Sequence, residues 1–208
     1  MLDKARRDHS SVSNIHFIQS TFEDLFSHFP SQYNQVDVIY SNAALQWTSG
    51  ANHALLLPRY IKELLKPDGT FAMQIPDTKD QPSHKAMRVA AQVLGLVELD
   101  SVRQARSELT STCYRRLLRA HCSSLNMWNT IYCHELMDSD GGKEENPVAN
   151  FFAGSGLGAY LEALADDVQK KETYTREYRR LVAEAYPKEA EDNATLLFMK
   201  RFFLVATK

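Results

Sequence analysis

The sequence predicts an α/β fold built on a mostly parallel sheet, and three observations carry that expectation. Residues 36–40 (Val36-Asp37-Val38-Ile39-Tyr40) and 70–75 are apolar-rich runs separated by a helical pattern. Such a strand–helix–strand unit implies a crossover and hence parallel pairing. Strand patterns followed by helical ones recur along the chain. The closing segment, 195–207, is a strongly apolar run that reads as one more strand.

Taken in order, residues 2–8 carry a helical pattern, and 15–18 read as a short strand followed by a polar turn. The strand at 36–40 stops at Ser41-Asn42. Residues 52–65 read as helical with an interruption. Pro58 lacks a backbone donor, so it is expected in the first turn of a new helix, 58–65, with Tyr60, Ile61, Leu64 and Leu65 on one face. Lys66-Pro67-Asp68-Gly69 is a turn signal. The strand at 70–75 ends at Pro76-Asp77. Residues 82–96 and 111–120 read as helices. Residues 125–134 read as a strand whose period of two puts Asn126, Trp128, Thr130, Tyr132 and His134 on one face. A loop at 138–145 precedes helices near 147–153, 157–164 and 166–186, the first two separated by Gly154-Ser155-Gly156. One domain over 1–208 is expected, with helical insertions at about 82–120 and 145–190 serving as a lid or substrate-binding region.

Composition narrows the function. The 208 residues are 44 % hydrophobic and 24 % charged, ordinary for a soluble globular chain. A net charge of -2 gives no global pull toward nucleic acid or anionic membrane. No apolar run approaches a membrane span and no secretory pattern opens the chain, so a cytoplasmic protein is expected. The oligomeric state is not set by these features. The cysteines, Cys113, Cys122 and Cys133, are odd in number and form no C-x-x-C, which argues for a reducing compartment. Cys133-His134 adjacency is not a chelating spacing, so no metal site is expected.

In an open parallel sheet, ligands bind beyond the carboxyl ends of the strands. Three such ends are chemically suggestive: Gln19-Ser20-Thr21-Phe22, then Ser41-Asn42-Ala43-Ala44-Leu45-Gln46-Trp47, then Gln74-Ile75-Pro76-Asp77. Small Ala43 and Ala44 permit close approach to the backbone, while Gln46 and Trp47 offer an amide and a flat apolar wall. These segments, with Lys66-Pro67-Asp68-Gly69 and Pro82-Ser83-His84, resemble trans-aconitate 2-methyltransferases. That family carries N-A-x-x-Q-W after its fourth strand, an L-x-P-x-G turn, and Q-M-P-D followed by P-T-H. Trp128, Tyr132 and His134 match a W-x-T-x-Y-x-H pattern, Gly156-Leu157 a T-G-L element, and 201–206 the closing strand.

The resemblance implies a class I methyltransferase-like (Rossmann-like) fold, here without its first strands, and S-adenosyl-L-methionine as cofactor. It implies methyl ester formation on a carboxylate of a small polycarboxylic acid such as trans-aconitate. It places Met1, Thr21, Phe22, Asn42, Ala43 and Ala44 at the cofactor, and Gln46, Trp47, His84, Trp128, Tyr132, His134 and Arg201 toward the substrate. The family's D-x-G-x-G-x-G loop has no counterpart. Gly154, Gly156 and Gly158 lie between helical patterns, without the preceding strand a phosphate or nucleoside cradle needs. The 208-residue chain is therefore expected to bind the cofactor weakly and to expose Val36, Val38 and Tyr40 at an unpaired edge. Thr21 stands where the family usually has aspartate, and Gly158 where it often has arginine.

Each candidate has a plainer alternative. Asn42 to Ala44 can be a simple turn, Trp47 a packing anchor, His84 a surface histidine, and the Trp128 face part of the core. Arg201, in an apolar strand, needs an anionic partner, which is either a protein carboxylate or the substrate's. Two further readings stay open: a methyltransferase for another small acceptor, and an inactive truncated fragment.

Overall fold

The computed structural model describes residues 2–28, 34–78, 80–96, 99, 109–137 and 146–208. Met1 and the loop expected at 138–145 lie outside the described residues. The strands are β1 (Val36–Asn42), β2 (Leu65–Pro76), β3 (Ser124–Leu136) and β4 (Thr195–Thr207), and they form one sheet in the order β1-β2-β4-β3. β1 and β2 are parallel neighbours, as their strand–helix–strand spacing requires. β4 runs antiparallel to both β2 and β3. Three strands thus share one direction, and the last strand inserts reversed between two of them.

Residues 15–18 do not form the expected strand. They run as irregular chain with Ile15 and Ile18 exposed. Strand-like sequence becomes a strand only where a ladder partner exists. Here helix α1 (Leu2–Asp8) takes that role differently: Arg6 donates to the Phe17 carbonyl at 3.3 Å, and His9 stacks on Phe17. A short helix, α2 (Leu25–His28), follows.

Pro58 is also not where the sequence suggests. Helix α3 (Gly50–Arg59), capped by Ser49, continues through it. The missing N–H leaves the turn short of one bond, and the chain widens at once into a π turn, Tyr60–Leu64. The turn at 66–69 is realised as a bulge inside β2: Val36 pairs with Leu65, but Val38 pairs with Thr70. Asp68 there has φ +63, and a Cβ on Gly69 would lie 2.9 Å from the Lys66 carbonyl oxygen. Glycine is required by that close approach.

The remaining helices are α4 (Pro82–Val93), α5 (Ser111–Leu118), α6 (Pro147–Phe151), α7 (Gly158–Ala163) and α8 (Val168–Ala185). Two cores result. On one sheet face, Phe71, Met73, Ile75, Phe202, Leu204 and Ala206 pack with residues of α3 and α5. On the other, Leu197 and Met199 pack with α4, α6, α7 and α8. That second helical layer covers only part of its face. Beyond it, Val38 is 60 % and Tyr40 is 70 % exposed at the outer strand β1, whereas Val36 packs against the first core.

Candidate functional site

The site forms where the second helical layer stops, which is also where β1 and β2 end. Asn42 pairs with Gln74, Gln74 with Phe203 and Phe203 with Trp128, so these four lie in one row across one sheet face. One step further along, Pro76, Arg201 and Thr130 form the next row. The rings of Trp128 and Phe203 stack at 5.1 Å and 6°. Farther along β3, Tyr132 stacks toward His134, and His134 meets Phe151 of α6 at 6.2 Å. Asn42, Trp128, Tyr132, His134 and Arg201 therefore share a face, as the period of two along β3 anticipates.

The chain reverses sharply after β1. Ala43 adopts φ +51, a conformation costly for a residue with a Cβ. Two contacts hold it there: its N–H donates to the Gln74 carbonyl at 2.9 Å, and Gln46 Nε2 donates to its carbonyl at 2.7 Å. Asn42 and Ala43 are exposed, Ala44 is half-buried, and Trp47 is 57 % exposed on a short turn, Leu45–Trp47. Trp47 is thus no simple packing anchor.

That turn is held from beneath by His53, which is buried on α3. The Leu45 carbonyl can only accept, so His53 Nε2 carries the proton at 2.8 Å and Nδ1 accepts from the Tyr114 hydroxyl at 2.9 Å. Burial lowers the His53 pKa below its ordinary value, against a smaller opposing effect of the Leu45 carbonyl. The imidazole is neutral and serves as a strut.

Arg201 is half-buried, and its side chain has no hydrogen bond or ion pair among the described residues. Its neighbour Lys200, on the opposite face, takes Asp77 at 2.7 Å. A protein carboxylate for Arg201 is thus not found. Gln74 is 8 % exposed, and its Nε2 is buried without a partner, as is Gln46 Oε1.

The other expected residues lie apart from this row. His84 is buried within the helical layer, close to Ser83 Oγ at 3.2 Å and edge-on to Phe152. It is not a surface histidine. Thr21 donates to the Asp24 carboxylate at 2.8 Å and accepts from the Asp24 N–H at 3.1 Å. Phe22 packs against the first core, and its carbonyl accepts from Tyr60, whose hydroxyl burial pushes up to about 12. Met1 lies outside the described residues. Two open depressions of about 560 Å³ each lie elsewhere, one against Arg6, His9 and Ile18, the other against Val168, Lys171 and Arg179.

Residues 1–180 match a family described as "Methyltransferase domain". The chain belongs to this methyltransferase family. It is 34 % identical over 174 residues to the trans-aconitate 2-methyltransferase of Variovorax paradoxus, covering 83 % of this chain and 62 % of that one. It is 33 % identical over 215 residues to the enzyme of the same name from Streptomyces coelicolor, covering 100 % of this chain and 65 % of the relative. The chain thus spans less than two thirds of the length of these relatives. Among solved structures, the YcgJ protein from Bacillus subtilis superposes with a TM-score of 0.52 at 13 % identity, covering 100 % of this chain and 78 % of the other. That likeness supports the α/β fold, and no helix among the described residues is long and apolar enough to cross a membrane.

Sequence reasoning passes over three residues that the site uses. His53 carries no motif; its signal is only a polar residue on an apolar helix face. Phe203 becomes visible once its register with Trp128 is known. Gln74 is recognised as a strand end, but its buried, unpartnered amide is a property of packing.

Proposed function

We propose that this chain is the acceptor-binding part of an S-adenosyl-L-methionine-dependent O-methyltransferase that esterifies a carboxylate of a small polycarboxylic acid, with trans-aconitate the first candidate. One observation carries the reading beyond the family: a half-buried arginine, Arg201, with no carboxylate partner among the described residues, on the sheet face where β1 and β2 end. A desolvated guanidinium requires an anion, and its planar fork suits a carboxylate.

The described residues fit one side of a cofactor site. Exposed Asn42 and Ala43 open the backbone at a strand end, in a strained turn fixed by two hydrogen bonds. The glycine cradle of the family is not among these residues. When bound, the cofactor supplies an electrophilic sulfonium methyl group. The acceptor carboxylate is ionised at neutral pH, so no general base is needed. What remains for this chain is positioning. Arg201 binds a carboxylate that is not esterified, Trp128 stacked on Phe203 gives a flat wall, Gln46 and Trp47 close the side next to the strained turn, and Tyr132 and His134 extend the face toward the helical layer. The insertions expected at about 82–120 and 145–190 act as the lid of a single domain through α4, α6, α7 and α8, which pack on the site's side of the sheet, whereas α5 packs on the opposite face.

A different small polycarboxylate is the second reading. Gly158 stands where relatives often have arginine, and a Cβ there would meet the Ala153 carbonyl only at an ordinary 3.5 Å. Space does not demand glycine there, so this chain lacks a cation that the resemblance places on the family's members. The test is methyl transfer from labelled cofactor to trans-aconitate and to a panel of di- and tricarboxylates, with the ester identified by mass spectrometry. Ester on trans-aconitate supports the first reading, ester on another member the second, and no ester on any polycarboxylate contradicts both.

A further inference from the structure

We propose that the side-chain amide of Gln74 is a specificity-determining donor of this acceptor site, gripping with Arg201 a carboxylate that stays unmethylated. The inference rests on the reading above and adds to it a residue and a role.

Gln74 sits in β2 with apolar Met73 and Ile75 on either side, which face the first core. Its own side lies on the site face, between Asn42 of β1 and Phe203 of β4. It is diagonal to Arg201 across the β2–β4 pair, because Arg201 lies two residues from Phe203 on the same face. Diagonal neighbours are about 7–8 Å apart, within reach of long side chains, so one anion bridges both once the Gln74 amide, whose nitrogen is closed to solvent, turns toward the face. The amide nitrogen is buried and has no partner. The amide nitrogens of the other two buried amides are met, Gln81 Nε2 by the Phe198 carbonyl at 3.4 Å and Asn146 Nδ2 by the Tyr186 carbonyl at 2.7 Å, although Gln81 Oε1 is itself buried without a partner among the described residues. Orphan buried donors weaken a fold and are rare in native proteins. Two donors unmet among the described residues, side by side on one face, suit a carboxylate ligand, which accepts several hydrogen bonds at once.

The experiment compares Gln74→Met, of similar length but without a donor, and Gln74→Glu, of similar shape but anionic. Calorimetric titration with trans-aconitate is paired with the thermal unfolding midpoint of the ligand-free protein. Gln74→Met is expected to unfold no earlier than wild type, since an unmet donor is removed, and to bind trans-aconitate about ten-fold or more weakly. Gln74→Glu is expected to lose binding altogether. Wild-type affinity in Gln74→Met overturns the inference and leaves the acceptor reading standing. If Gln74→Met does not fold, retained affinity in Gln74→Glu overturns it. Failure of wild type to bind any polycarboxylate overturns both the inference and the reading.

Discussion

The two faces of strand β4 have the same alternation and different fates. Phe202, Leu204 and Ala206 point into the first core and are buried among α3 and α5 residues, with Tyr114 stacked on Phe202 at 5.2 Å. Arg201, Phe203 and Val205 point the other way and remain half-buried. On the first face the large side chains from 202 to 206 are packed, and exposure begins only farther along the strand, at Phe198. On the second, the covering helices stop near Met199, and a cation, a stacked aromatic pair and an unpartnered amide begin. Buried polar groups also occur under the helices, at Gln81, Ser83, His84 and Thr195, but the half-buried Arg201, the stacked pair and Gln74 lie together where the helical layer ends, and these are the groups the proposed acceptor site uses.

The contrast can be broken by substitution. Leu204→Ala, on the packed face, should cost about 2–5 kcal/mol of stability through transfer and cavity effects. Chemical unfolding followed by circular dichroism measures it; a cost below about 1 kcal/mol would mean that face is loosely packed. A smaller effect should come from pH. Burial holds the folded pKa of His53 below its usual 6.5, so the unfolded chain takes up a proton first as pH falls. Its contribution is complete above about 6.5 and is lost as pH drops through the lower folded value. Unfolding midpoints at a series of pH values should therefore fall across this range in wild type, and fall less in His53→Gln. An equal decline in both would remove His53 as the strut. The smallest effect belongs to the strained turn. Ala43→Gly relieves a left-handed alanine and should raise stability by about 0.5–1 kcal/mol, net of the added chain entropy. A loss of stability would show that the methyl group is packed.

Much of the fold is legible in the sequence because apolar periodicity decides it. The strands at 36–40, 70–75, 125–134 and 195–207 and the helices from α4 to α8 follow from patterns of two and of three to four residues. The errors have local causes. Residues 15–18 have the composition of a strand but no ladder, and composition cannot supply one. Pro58 is accommodated inside a helix because the following π turn absorbs the missing hydrogen bond. The site is partly legible: Asn42, Trp128 and Arg201 are indicated by strand ends and alternation. Its completion by Phe203 and Gln74 depends on cross-strand register, and the anchoring of Leu45 by His53 depends on two residues meeting across 61 positions to Tyr114. Neither is written in any local window.

The central claim is that the open sheet face recognises a carboxylate through Arg201. The direct test is calorimetric titration of wild type and Arg201→Ala with trans-aconitate, alongside unfolding midpoints of both. Removing a charge-assisted bond should weaken binding by about 1.5–3 kcal/mol, on the order of ten- to a hundred-fold, with the midpoint nearly unchanged. Unchanged affinity in a folded variant, or a large fall in the midpoint, would assign Arg201 to the architecture of the protein and contradict the account.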